Sequence, residues 1–441
     1  MNIILLSGGS GKRLWPLSND VRSKQFIKFF QGEEGEAESM LQRVYRQIQK
    51  AAPDSEVTIA TSKTQASAIR NQLGEHVGIS PEPCRRDTFP AIALATLYLH
   101  DVRKVRAEET VIVCPIDPYV EDSYFENLKK VGEQAASGEA SLVLMGIEPT
   151  YPSEKYGYII PQSTENISRV RTFKEKPDAE TAKEYIAEGA LWNGGVFAYK
   201  LKYVLEKAHE LIDFEDYADF YAKYEELDKI SFDYAVAEHE PNIQVVRFDG
   251  AWKDLGTWNT LTETIDRHVV GDAMLDETCE NVHVINELDV PVLCMGLKDI
   301  VVAVGPDGIL VSDKMQSSFM KPYVDKLHRP ARYAEKSWGD FRIIDIEEDS
   351  LTIKITLNPG EKMNYHSHER RDEVWSIISG EGKVIVDDME QEVSAGDVIT
   401  MQAGCRHTVI AKTVLKILEV QLGKEIDVHD KQKFEWEEKF I

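Results

Sequence analysis

Through residue 270 the chain alternates short β-rich runs with helical stretches, and then the alternation stops. "NIILLS" leads through "SMLQRVYRQIQKAA" to "VTIAT"; "PAIALATLYLHDVRK" leads to "TVIVCPID", and "YFENLKKVGEQAA" to "SLVLMGI". Strand, helix, strand in that order predicts crossover connections and a mostly parallel, helix-covered sheet. Ligands of such sheets collect outside the carboxyl ends of the strands. "SGGSGKR" and "PIDP" fall there. Residues 271–328 instead show short Val- and Ile-rich strands separated by turn residues, with no convincing helix, and read as a β-rich connector. Residues 329–441 open with a linker-like entry, "KLHRPARYAEKSWG" from Lys326, and continue as "FRIIDI", "SLTIKITL", "VWSIISGEGKVIV" and "DVITM". Short strands broken by Gly, Asp and Pro predict a sandwich or barrel.

Charge and cysteine usage narrow the function classes. A formal net charge of −25 opposes unspecific binding to nucleic acid or anionic membrane, which favour basic surfaces. No apolar run approaches the roughly 20 residues of a membrane span, and "MNIILLSGG" has no basic leader. The five cysteines (Cys84, Cys114, Cys279, Cys294, Cys405) are scattered without a C-x-x-C. That predicts a reduced, cytoplasmic protein with no disulfide framework.

The turn after the first strand, within "LLSGGSGKRLWPLSNDVRSKQF", presents backbone N–H groups suited to phosphate. It matches neither G-x-G-x-x-G nor G-x-x-x-x-G-K-[ST], so the dinucleotide fingerprint and the P-loop are both excluded. Arg13 can clamp phosphate oxygens bidentately, and Lys24 can add a point charge.

"LSGGSGKRLWPLS…SKQF" resembles the signature of sugar-1-phosphate nucleotidyltransferases, most closely mannose-1-phosphate guanylyltransferases, whose longer members carry a type II mannose-6-phosphate isomerase cupin at the C-terminus. "EPCRRDTFPAIALA", "PIDPY", "PTYPSEKYGYI", "FKEKP", "WNGGVF", "SFDYAVAE" and "WKDLGTW" follow in family order. The resemblance implies an α/β fold with a Rossmann-like sheet, a β-helix-like connector and a C-terminal all-β cupin barrel. It implies transfer of a nucleotidyl group from GTP to mannose 1-phosphate, giving GDP-mannose and pyrophosphate. The same reaction on another nucleoside triphosphate or hexose 1-phosphate, and a non-catalytic sugar-nucleotide sensor, remain as alternatives. The expected assembly is a homo-dimer, with no nucleic-acid or membrane partner.

Joining two anions requires charge neutralisation and alignment more than covalent help from the protein. In that scheme Arg13 meets the triphosphate and the transition-state charge, Lys24 and Lys176 hold phosphate oxygens, and Asp117 with Asp254 share one Mg²⁺. Leu6, Gly8 and Gly9 would line the nucleotide turn, and Glu82 and Arg86 the nucleoside segment. Glu175 and Asn193 offer partners for sugar hydroxyls, with Gly157 leaving room for a ring. Asp233 either braces a loop or touches substrate. The chain departs from the family at Lys12 (usually Thr), Ser23 (usually Pro), and Arg85, Asp87 and Phe89 (usually Gly, Asn and Ala).

"GEKMNYHSHERRDEVWSIISG" fits G-x(5)-H-x-H-x(4)-E-x(6)-G from Gly360 to Gly380, and His407 follows in "GDVITMQAGCRH". On a strand, His366 and His368 share a face. With Glu373 and His407 they form a three-nitrogen, one-oxygen set suited to Zn²⁺ or another divalent transition metal. The fused isomerases carry H-R-x-E-H-W; here Arg371 and Trp375 remain, but Val374 replaces the second histidine, Glu369-Arg370 a histidine pair, and His366 the usual Gln. Two roles stay open for this domain: an isomerase of mannose 6-phosphate and fructose 6-phosphate, or a metal-stabilised barrel serving assembly or regulation.

Overall fold

The computed structural model describes every residue except 10, 11, 20, 266, 328–330, 428 and 436–441. Part of the glycine-rich turn (Ser10, Gly11), the expected boundary at 328/329 and the end of the tail lie outside the described residues. The chain forms two compact units: residues 1–10 with 25–266, and residues 11–24 with 267–441.

The first unit is built on a nine-stranded sheet in the order Gly78–Glu82, Glu56–Ser62, Asn2–Ser7, Thr110–Pro115, Leu191–Lys200, Leu142–Ile147, Ile243–Phe248, Ile167–Lys174, Tyr158–Pro161. Its first four strands are parallel, as the helical crossovers predict. The sheet as a whole is mixed rather than mostly parallel. Leu191–Lys200 runs antiparallel to both of its long neighbours, and Tyr158–Pro161 pairs antiparallel with Ile167–Lys174. For that last pair the reason is local: "QSTEN" between the two strands is a turn, and antiparallel neighbours need only a turn where parallel ones need a crossover. The helix Thr88–Leu97 is buried along most of its length. Its Phe89, Ile92 and Ala95 pack with Ile4, Val111, Val113, Leu144 and Val245 of the sheet. A helix apolar all round has no solvent face to present, and this one lies in the core.

In the second unit the connector stacks parallel rungs: Val269–Val270 on His283–Asn286 on Ile300–Gly305, and Ala273–Leu275 on Val292–Cys294. Gly308–Asp313 closes the first ladder antiparallel. Two short helical turns, Gln316–Phe319 and Lys321–Val324, interrupt a segment expected to lack helix. At four residues each they are too short to leave a periodic signature. The linker-like entry is partly a strand, Tyr333–Lys336, paired with Gly339–Ile346. The barrel follows, a six-stranded and a five-stranded sheet around a core of Trp375, Leu357, Val409, Leu415 and Ile417. No helix among the described residues is long and apolar enough to cross a membrane.

Candidate active site

The strands Asn2–Ser7 and Thr110–Pro115 run side by side, Leu6 opposite Pro115, and the Ile116 N–H donates to the Leu6 carbonyl at 3.3 Å. The glycine turn and Asp117 therefore leave the sheet together. Gly8 and Gly9 are exposed, and a Cβ built on either meets nothing within 4 Å among the described residues, which leaves room for a ligand beside the turn. Gly9 has φ of 130°, a conformation that glycine adopts without steric cost. Arg85, the departure from the family's Gly, donates to the Gly9 carbonyl at 2.9 Å and so supports the turn.

Asp117 is followed at once by the short strand Pro118–Val120, which pairs antiparallel with Trp252–Asp254. In that register Asp254 stands opposite Pro118. Two carboxylates separated by more than a hundred residues are thus brought to neighbouring positions by one ladder. The same ladder places Trp252 against Tyr156, ring centroids 5.3 Å apart. Burial first, then the Asp254 carboxylate, raise the Tyr156 phenol above its ordinary value.

Beside Tyr156 lies a second cluster. Glu175 is buried, and its Oε1 accepts from Lys176 while its Oε2 has no hydrogen-bond partner among the described residues. A Cβ on Gly157 would collide with that Oε2 and come within 3.2 Å of the Phe173 ring. The Asn193 backbone N–H donates to the Gly157 carbonyl at 2.8 Å, and its side-chain amide donates to Asp233 at 2.6 Å. Asp233 therefore braces Asn193. Withdrawal from solvent, aided by Glu175, raises the Asp233 carboxyl to about 6. Lys176 has φ of 44°, an uncommon backbone for a residue with a Cβ. Burial, the largest single influence, lowers its ammonium, but the Glu175 bond together with the charges of Glu175 and Asp233 makes the net shift upward. The cluster is a small polar cradle with one buried acceptor unspent, the kind of group that costs stability unless a ligand hydroxyl satisfies it. Gly157→Ala is expected to displace Glu175, since the added methyl takes the place of its Oε2, and to weaken about tenfold or more the binding of a hydroxyl-bearing ligand in this cradle. Unchanged KM values for every substrate would show that the cradle holds none.

Glu82 and Arg86 lie apart from these groups. Glu82 is buried and accepts from the Tyr224 hydroxyl at 2.6 Å. Burial pushes it up to about 7 against the opposing pull of that bond. Arg86 donates to the Glu225 carbonyl. Asp87 caps the helix Thr88–Leu97, accepting from the Thr88 N–H at 2.7 Å with φ of 69°. With ψ of −174° that backbone lies in a region occupied almost only by glycine, so Asp87 is strained there. Phe89 is core, 2% exposed, and does not face a ligand site.

Arg13 and Lys24 belong to the second unit. Arg13 is exposed on the turn Lys12–Leu14, and Lys24 opens the turn Lys24–Phe26. Lys12, in place of Thr, donates to Asp325 at 3.2 Å.

In the barrel, His366, His368, Glu373 and His407 are all buried. Ligand atoms of the three histidines lie within 4.8 Å of one another. Each ring commits Nδ1 to a backbone carbonyl: His366 to Asn364, His368 to Asp430, His407 to Cys405. That fixes the Nδ1–H tautomer and turns Nε2 inward as a ligand atom. Glu373 carries one oxygen 3.2 Å from His368 Nε2 and the other 3.2 Å from His407 Nε2. Burial lowers His366 to about 2 and His368 to about 4, so both rings stay neutral, as metal ligands must. The three histidines form a set that could hold a metal ion. The Arg371 guanidinium lies beside them, 3.0 Å from His368 Nε2 and donating to Glu373 Oε1 at 3.1 Å.

Two further interior groups escaped the motif. On the strand Leu415–Leu422, alternate residues Leu415, Ile417, Glu419 and Gln421 are buried. The Gln421 amide donates to Glu419 at 2.6 Å. Burial, reinforced by Glu373, raises Glu419 to about 8 despite that bond. The readable signal was the inward stripe of "LKILEVQL" turning from apolar to polar. Val374 follows the same alternation onto the face opposite Glu373 and Trp375, so the histidine missing there is not a loss from the ligand set.

A family model described as nucleotidyl transferase matches residues 2–268, and a cupin domain model matches residues 353–421. The chain belongs to the nucleotidyl transferase family. It is an enzyme of the nucleotidyltransferase type with an appended cupin. A protein of Vibrio cholerae serotype O1 is 30% identical to this nucleotidyltransferase over 98% of the chain and 99% of its own length. The mannose-1-phosphate guanylyltransferase of Escherichia coli K12 is 29% identical over 98% of this chain and 97% of its own. Among solved structures, one described as mannose-1-phosphate geranyltransferase from Thermus thermophilus is 29% identical, covers 74% of this chain and 99% of that one, and superposes with a TM-score of 0.61.

Proposed function

We propose that the enzyme transfers the guanylyl group of GTP to mannose 1-phosphate, forming GDP-mannose and releasing pyrophosphate. The ladder that sets Asp254 opposite Pro118, the residue after Asp117, supports this reading, because a binding-only sensor has no use for two carboxylates at neighbouring positions beside a phosphate turn. A phosphate oxygen of the sugar attacks the α-phosphorus as the bond to the β-phosphate oxygen breaks. Magnesium held by Asp117 and Asp254 would screen the charge of the triphosphate. Arg13 and Lys24 balance charge on the phosphates, and Lys176 meets the sugar phosphate. Glu175 and Asn193 orient the sugar hydroxyls over Gly157, with Leu6, Gly8 and Gly9 under the nucleotide and Glu82 and Arg86 on the nucleoside side. The full-length guanylyltransferase relative supports the choice of base and sugar. A panel of nucleoside triphosphates against hexose 1-phosphates, read by pyrophosphate release, tests it: GTP with mannose 1-phosphate should give the highest kcat/KM.

The domain limits 1–270, 271–328 and 329–441 belong to the same proposal, as does residence in the cytoplasm, supported by five unpaired cysteines. For the cupin, the four buried ligands predict one Zn²⁺ or similar divalent ion per chain, measured by elemental analysis and reduced to a small fraction in His407→Ala. Full metal content in that variant would place the ion elsewhere. Glu419 favours a second reading. A carboxyl buried inside the barrel, bonded by the Gln421 amide and raised by burial and by Glu373, is placed for proton transfer, as sugar-phosphate isomerisation requires. Conversion of mannose 6-phosphate to fructose 6-phosphate that is lost in Glu419→Gln would make the chain bifunctional. Its absence in the metal-loaded protein would leave the barrel an assembly or regulatory module.

A further inference from the structure

The segment carrying Arg13 and Lys24 is tied to the connector by side chains that no chemical step requires. Arg22 presents its guanidinium fork to both oxygens of Glu287, at 2.6 and 3.0 Å. Its Nη1 also donates to the Leu17 carbonyl at 3.3 Å, and the group lies 5.0 Å over the Tyr333 ring. Asn19 donates to Asp307 at 2.6 Å, while its own Oδ1 accepts from the Val21 and Arg22 backbone N–H groups at 2.8 and 2.7 Å. Asp307 in turn accepts from the Arg332 backbone N–H at 2.6 Å. The backbones approach closely: a Cβ on Gly305 would fall 2.7 Å from Leu17, and one on Gly308 2.5 Å from the Trp15 ring.

These ties differ from an ordinary surface ion pair. The Arg22 and Glu287 side chains are only 14% and 27% exposed. A bidentate fork fixes orientation as well as distance, and the aromatic face beneath it removes another degree of freedom. Lys24 lies two residues beyond Arg22, and Arg13 directly follows Lys12, itself tied to Asp325. Arg13 is therefore flanked by anchored positions, and Lys24 follows one closely.

We propose that Arg22 and Glu287 are positioning residues for nucleotidyl transfer, so that the connector sets the aim of Arg13 and Lys24. This rests on the reading that those two cations act on the phosphates. A misplacement of about 1 Å costs up to about a hundredfold in rate, so loosening the fork should act on kcat. The experiment uses the full-length protein with magnesium, GTP and mannose 1-phosphate, well below each variant's melting midpoint. Glu287→Gln and Arg22→Lys are each expected to lower kcat about tenfold or more, with both KM values within about threefold. The charge-swapped pair Arg22→Glu with Glu287→Arg should recover part of the loss. A role confined to stability would lower the melting midpoint and leave kcat alone. Wild-type kcat in Glu287→Gln and Arg22→Lys, with Arg13→Ala inactive, overturns the positioning role while sparing the reading of the site. Wild-type kcat in Arg13→Ala removes the reading of the site and the positioning role together. Should Glu287→Gln fail to fold, Arg22→Lys decides alone.

Discussion

Asp254→Asn is expected to fold normally and to lose about a thousandfold or more of magnesium-dependent turnover, and Asp117→Asn to do the same. Asn keeps the shape of Asp but removes the charge that a hard cation seeks. Asp254 ends a three-residue strand whose backbone pairing with Pro118–Val120 does not depend on the side chain. The loss should therefore fall on chemistry, where charge stabilisation by a metal is worth several kcal/mol. Pyrophosphate release across a magnesium titration is the measurement. Near wild-type kcat at saturating magnesium in either variant would show that the two carboxylates do not share the ion.

Arg13→Ala should lower kcat by about 100- to 1,000-fold, the ~2.7–4 kcal/mol that a preorganised donor contributes to a developing anion. The nucleotide dissociation constant should change much less, because an interaction that strengthens in the transition state is realised in kcat rather than in ground-state binding. Arg13 is exposed while its neighbour Leu14 is buried and holds the turn, so truncation should spare the fold. Equilibrium nucleotide binding and steady-state kinetics on one preparation separate the two effects. A rise in KM with unchanged kcat would make Arg13 an ordinary binding residue.

Spacing alone makes the three-histidine cluster legible in the sequence, because strand periodicity places His366 and His368 on one face and the motif supplies His407. The parallel half of the sheet is equally legible, since each strand there is followed by a helical period. The antiparallel entry of Leu191–Lys200 is not. Its run "LWNGGVFAYK" has the composition of any buried strand, and direction is set by tertiary connection rather than by local pattern. The departures from the family become intelligible only through partners far along the chain. Lys12 meets Asp325, Arg85 meets Gly9, and Phe89 enters the core. The absence of a histidine at Val374 reads as a lost proton donor, yet alternation turns that position away from the ligands. Glu419 looks like a surface charge in sequence, and only its place on the inward stripe of "LKILEVQL" marks it as facing the barrel interior.

The most direct test of the central claim follows both products in one reaction. Purified full-length protein with magnesium, GTP and mannose 1-phosphate should release pyrophosphate and form GDP-mannose in equal amounts, over many turnovers and only with both substrates present. Tight binding of GTP or of a GDP-sugar, with no pyrophosphate released, would contradict catalysis and leave a sensor that has kept the fold.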